Sequence, residues 1–210
     1  KLMRIKTRMV GLFVVLSMVC GLGCSPNACS PQEAEYEVRD AVVQLIGSHD
    51  STLEASRKAT FRITSIRPQG DAIGTATLFY YKGEQIVVTA AHVVRDATRA
   101  FIESRYEVGV ERHLELIYYD EVADIAILLP TTEIETIKPI KLRTAKPKHM
   151  YVGTKTIYSG YPNNHSMLTI HGRISGFTSD ADLILDTYGW GGASGSSVFD
   201  EKGRLLGVLS

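Results

Sequence analysis

The chain has 210 residues, 44% hydrophobic and 22% charged, an ordinary globular composition that argues against disorder and suffices for one large core or two small ones. Formal net charge is zero, but the first 23 residues hold Lys1, Arg4, Lys6 and Arg8 and no acid, so the remainder sets 19 basic residues against 23 acidic ones, net −4. Phosphate binding needs clustered Lys and Arg, so nucleic acid is not expected as a partner.

Taken in chain order, the first element is a targeting segment: a basic stretch through Arg8, the apolar run from Met9 to Gly23, then Cys24. A transmembrane helix is the competing reading. A bilayer needs about 20 apolar residues, however, and this run is shorter and ends in glycines. Residues 1–23 therefore read as a signal peptide outside the fold, and the chain as exported. Gly-Leu-Gly-Cys ahead of Ser-Pro-Asn resembles the lipobox of bacterial lipoproteins, which makes Cys24 the expected lipidation site. Gly21 stands where that pattern usually has leucine, and plain secretion is the alternative. An acylated Cys24 would hold the protein at a membrane surface without spanning it. All three cysteines, Cys20, Cys24 and Cys29, precede residue 30, so no disulfide staples the body of the chain and cysteine-built metal sites are excluded. No metal and no cofactor is expected.

Residues 24–56 read as a linker with one short helix. Ser30 and Glu33 form a capping box, and Ala34, Val38, Ala41, Val42, Leu45 and Ile46 recur on one face, predicting an amphipathic helix from about Pro31 to Ile46. It is either a spacer lying against the domain or a partner-binding helix. Gly47 to Ser56 is polar and turn-rich, a boundary. From Lys58 the period changes to two, with Ala59, Phe61 and Ile63 alternating with Thr60, Arg62 and Thr64. Strands at Thr75 to Tyr81 and Ile86 to Thr89 follow, separated by glycine turns, which argues for an all-β barrel or sandwich.

Three later stretches carry chemistry. TAAHVV, Thr89 to Val94, puts His92 among small and branched apolar residues, unlike the other five histidines. VADIAILLP, Val122 to Pro130, sets Asp124 at the head of an apolar strand, where a carboxylate must be hydrogen-bonded or bear a desolvation cost. GWGGASGSSVF, Gly189 to Phe199, places Ser194 in a glycine cluster. Gly191, Gly192 and Gly195 have access to backbone angles closed to other residues, so the loop around Ser194 can turn sharply and aim N–H groups outward. Each taken alone has a bland reading: a core histidine, a strand-edge carboxylate, an ordinary loop.

Together, in the order His, Asp, Ser, these motifs and the following GRLLGVLS resemble the trypsin-like serine peptidases, closest to the compact bacterial branch that includes the HtrA proteases. GYP at Gly160 to Pro162 and the strand LTIHGRISGF look like the family's second barrel. The resemblance covers about Ala59 to Ser210. It implies an all-β fold of two six-stranded barrels, about 57–132 and 138–210, meeting at a cleft, with the N-terminal helix and signal segment outside it. It further implies His92, Asp124 and Ser194 as a catalytic triad, the N–H groups of Gly192 and Ser194 as an oxyanion hole, and Tyr188, Gly189, Trp190, Gly191 and Ser210 as substrate-binding. The substrate would be a peptide or protein; the oligomeric state is left open.

Two departures matter. Ala193 stands where animal members carry the aspartate of the zymogen switch, so that switch is absent. Ser196 replaces a glycine, and if the position requires positive φ the turn behind the nucleophile is strained, which keeps a peptide-binding protein without turnover as the alternative function. An esterase is disfavoured, because Ser194 lacks the strand, elbow and helix of the α/β-hydrolases. Tyr188 lies where members that cut after Lys or Arg are acidic, which implies a preference for small or medium apolar side chains, with Asp186 as the competing determinant. Since the chain begins at Lys1 and the family continues past the strand Leu205 to Leu209, a fragment cut at both ends is expected.

Overall fold

The computed structural model describes residues 51–179 and 181–210, so the signal segment, Cys24 and the helix expected over residues 31–46 lie outside the described residues. The first element is a helix, α1, Ser51–Lys58. Its residues Ser51 to Ser56 were expected in a polar, turn-rich boundary; they fold because tertiary contacts outweigh weak local propensity. Leu53 packs into an apolar cluster, and the buried Ser56 hydroxyl donates to the Ser159 hydroxyl at 3.0 Å.

Seven strands follow from the alternating segment onward: β1 Thr60–Ile66, β2 Ala72–Tyr81, β3 Glu84–Thr89, β4 Arg99–Glu103, β5 Glu111–Asp120, β6 Ile125–Pro130 and β7 Ile140–Lys141. Between β3 and β4 lies a four-residue helix, α2, Ala91–Val94. The sheet order is β1-β4-β5-β6-β3-β2-β7, and β1 also pairs with β2, so six strands close into a barrel with β7 added in parallel to β2. Phe61, Ile63, Leu78, Val87, Ile102 and Leu128 fill its interior, at most 1% exposed. Each contributes roughly 1.5–3 kcal/mol by leaving water. Ile134 plugs the same core, fixed by a two-way exchange in which its N–H donates to Gln85 Oε1 at 2.9 Å and its carbonyl accepts from Gln85 Nε2 at 3.0 Å.

Five more strands form the second sheet: β8 Lys155–Gly160, β9 Leu168–Phe177, β10 Leu183–Asp186, β11 Ser197–Asp200 and β12 Leu205–Val208, in the order β10-β9-β8-β11-β12. Among the described residues this sheet is open, a half-barrel where a six-stranded barrel was expected. Tyr158, Ala193, Val198 and Leu206 form its core. A third cluster joins the two sheets, with Phe79, Ile86 and Val88 from the barrel against Ile157 and Phe199, the Phe79 and Phe199 rings 6.1 Å apart between centroids. Among the described residues no helix is long and apolar enough to cross a membrane.

Candidate active site

Asp124 is delivered by a turn built on another acid. Asp120, at the end of β5, accepts the N–H groups of Val122 and Ala123 at 3.0 and 2.9 Å, folding the chain back so that Asp124 precedes β6. Asp124 itself has φ 49°, a left-handed angle that a short polar residue tolerates at roughly 1 kcal/mol. From there it grips α2 three times. Its carbonyl accepts the N–H of Ala91 at 3.1 Å, Oδ1 accepts the N–H of His92 at 2.8 Å, and Oδ2 lies 2.7 Å from His92 Nδ1. An ionised carboxylate only accepts, so Nδ1 carries the proton and Nε2 is left as the free lone pair.

Ser210 completes this set, its hydroxyl donating to Asp124 Oδ2 at 2.5 Å. Burial is the largest influence on the Asp124 carboxyl and favours its neutral form. The Ser210 hydroxyl, the His92 N–H and the His92 ring together outweigh burial and hold it below its ordinary value of 3.8. With the folded pKa depressed, the stabilising contribution is whole above 3.8 and is lost as pH falls through the folded value. Ser210→Ala is therefore expected to move the Asp124 carboxyl up and to bring acid failure of the His92–Asp124 pair to higher pH. Carbon-13 titration of the Asp124 carboxyl reads this directly, and an unchanged titration would refute it.

The loop around Ser194 is shaped by two of its glycines. Gly192 (φ 93°) and Gly195 (φ 89°) use the left-handed region, and a Cβ there would meet the Tyr161 carbonyl at 2.5 Å and the Thr75 carbonyl at 2.0 Å. Gly191, expected to share this freedom, keeps an ordinary angle with open space around it. Ser196 is also not at positive φ, so the strain expected there is absent. Its buried side chain lies over Gly160, where a Cβ would come within 2.2 Å of the Ser196 hydroxyl oxygen; glycine at 160 makes the room that serine at 196 uses.

Hydrogen bonds then orient the loop. The N–H of Asn163, itself at φ 53°, donates to the Gly191 carbonyl at 2.6 Å. A trans peptide points its N–H opposite its carbonyl, so the Gly192 N–H is turned away from Asn163. Ala193, Gly195 and Ser196 donate to Trp190, Leu209 and Ala193 carbonyls, whereas the N–H groups of Gly192 and Ser194 meet no acceptor among the described residues. Thr75 of β2, fully buried, anchors the loop to the barrel. Its N–H donates to the Ser194 carbonyl at 2.8 Å, its hydroxyl donates to the Gly192 carbonyl at 2.7 Å, and that hydroxyl accepts the Tyr161 N–H at 3.1 Å.

The three motifs converge through these contacts. Gly195, next to Ser194, packs so closely on Ala90 that a Cβ would lie 3.1 Å from its N, and Ala90 is two residues before His92. Gly195 also donates to Leu209, next to the Ser210 that holds Asp124. His92 and Asp124 remain reachable, with side chains 39% and 19% exposed. Of the residues expected to bind substrate, Tyr188, Gly189, Trp190 and Gly191 are exposed, Trp190 at 62%. The buried Tyr158 hydroxyl, pushed up to about 12 by burial, donates to the Tyr188 carbonyl. Asp186 ends β10 opposite Arg173. Thr75 and Asn163 escaped the sequence reading, since a threonine in a strand and an asparagine in a turn carry no local sign of a partner far along the chain. Among the described residues no cluster of three or more His, Cys, Asp or Glu could hold a metal ion.

Comparison with solved structures finds the same fold in bacterial proteases. The serine endoprotease from Yersinia pestis matches at TM-score 0.64 and 20% identity over 77% of this chain and 56% of its own. The HtrA-type protease AlgW with a tripeptide matches at 0.63 and 18% over 77% and 53%. The active form of the Rv3671c protease from M. tuberculosis matches at 0.61 and 22% over 80% and 74%. The chain thus spans just over half the length of the first two. No curated protein matches it in sequence. The family model for the trypsin-like peptidase domain matches residues 74–208, a stretch that holds His92, Asp124 and Ser194, and the chain belongs to that family.

Proposed function

We propose that the chain is an exported serine endopeptidase working through His92, Asp124 and Ser194. The observation that supports this most is the 2.7 Å His92–Asp124 pair beside a serine loop with two N–H groups that meet no acceptor among the described residues. Ser194 Oγ attacks the scissile carbonyl carbon while His92 Nε2 takes its proton. The N–H groups of Gly192 and Ser194 receive the oxyanion, and His92 returns the proton to the departing amine, leaving an acyl-enzyme. Water activated by the same histidine then releases the acid and restores Ser194. Asp124 holds the imidazole in the tautomer that leaves Nε2 free. Export, with lipidation at Cys24, is part of the proposal and rests on the sequence of the first 24 residues.

Tyr188 offers no charge to pair a buried cation, so the peptidase is proposed to prefer small or medium apolar side chains on the acyl side of the cleaved bond. The test joins a fluorophosphonate probe to a peptide library. Wild type is expected to label and Ser194→Ala not, with library cuts after apolar residues. Labelling without cleavage would favour a peptide-binding protein instead. Cuts dominated by Lys or Arg would move the specificity determinant to Asp186.

A further inference from the structure

The turn that carries His92 is too short to hold itself. A four-residue helix fixes several backbone angles for very few internal bonds, and its last carbonyls have no following turn to receive them. At its N-terminal side Asp124 supplies the missing acceptors, through the Ala91 and His92 N–H groups. At its C-terminal side the donor comes from elsewhere. Arg67, one residue past β1 and ahead of Pro68, sends a single guanidinium nitrogen to two carbonyls, 2.7 Å from that of His92 and 2.6 Å from that of Val93. Its Nε is buried without a hydrogen-bond partner among the described residues, and the residue as a whole is half-buried.

We infer that Arg67 is a positioning residue for His92, the cationic half of a clamp whose anionic half is Asp124. A carboxylate at the His92 N–H and a guanidinium at the last carbonyls both run with the dipole of the turn. Asp124 alone fixes the ring at Nδ1 and the peptide on the N-terminal side of the histidine. Free rotation at the carbonyl end would still let the short turn unwind and carry the Cα of His92, and with it Nε2, out of place. Two charge-assisted bonds to consecutive carbonyls stop that rotation. Arg67 touches neither ring nor substrate; it acts through the backbone.

The inference rests on the proposed peptidase reading, and its test separates the two. In the whole protein, Arg67→Met keeps the apolar stem and loses the donors, whereas Arg67→Lys keeps a cation with three donors. The methionine variant is expected to label with a small fluorophosphonate about tenfold to a hundredfold more slowly. Any peptide cleavage should fall in kcat with KM unchanged, and the downfield proton signal of His92 Nδ1–H should shift or broaden. Lysine is expected to restore most of the rate and the signal. A methionine variant with the wild-type labelling rate and wild-type Nδ1–H signal overturns the inference. Where methionine fails to fold, Arg67→Gln replaces it under the same expectations. If both unfold while lysine folds, Arg67 serves the fold and not His92, which also overturns it. Wild type that labels but cleaves no peptide would sink the peptidase reading alone, since labelling and the proton signal need no peptide.

Discussion

Alanine at Ser194 or at His92 is expected to lower kcat by roughly six orders of magnitude, and the double variant to be no slower than either single one. The reason is that the proposed step is shared. Without the Ser194 hydroxyl there is no nucleophile for His92 to deprotonate, and without His92 the hydroxyl stays a neutral alcohol. Asp124→Asn should cost about four orders of magnitude. The amide can donate to Nδ1, turning the imidazole so that its proton sits on Nε2, the atom that must accept. What remains in each variant should be the contribution of the two N–H groups and of binding. Single-turnover kinetics on the three single variants and the double variant decide the matter. Losses that multiply across Ser194→Ala and His92→Ala would mean that the two do not act as a unit.

The second large effect is expected from a methyl group. Gly195→Ala should cost about 3–5 kcal/mol, because overpacking against rigid neighbours adds to a left-handed angle that a Cβ disfavours. The new carbon would sit 2.0 Å from the Thr75 carbonyl and 2.2 Å from the Thr89 hydroxyl oxygen, and Thr75 is the residue that holds the carbonyls of Ser194 and Gly192. Relief therefore requires moving β2 away from the nucleophile loop, which removes activity along with stability. Gly191→Ala, four residues earlier in the same glycine cluster, meets open space at an ordinary angle and should be nearly neutral for folding. Urea unfolding of both variants gives the comparison. Equal midpoints would refute the packing argument.

These contrasts mark the boundary of what the residues alone disclose. The sequence by itself singled out His92, Asp124 and Ser194 as the side chains proposed to carry the chemistry, because each sits in a motif readable over a few neighbours. It also determined the all-β class, because the alternation of Ala59, Phe61 and Ile63 is a local period that β1 keeps, with Phe61 and Ile63 in the barrel core beside Ala59, the residue just before the strand. Tertiary structure alone decided the rest. It made a helix of Ser51–Lys58, since Ser56 bonds Ser159 of β8 and Leu53 packs into the cluster between the two sheets, both far along the chain. Packing against Tyr161 and Thr75 selected Gly192 and Gly195, not Gly191, as the glycines the loop cannot replace. Ser196 avoids strain by keeping φ out of the positive region, and its side chain finds room because Gly160 has none. Thr75 to Gly192 spans 117 positions and Ser210 to Asp124 spans 86. A hydrogen bond across such a distance imposes no period and no composition on the residues between, so it becomes visible only when the chain has folded.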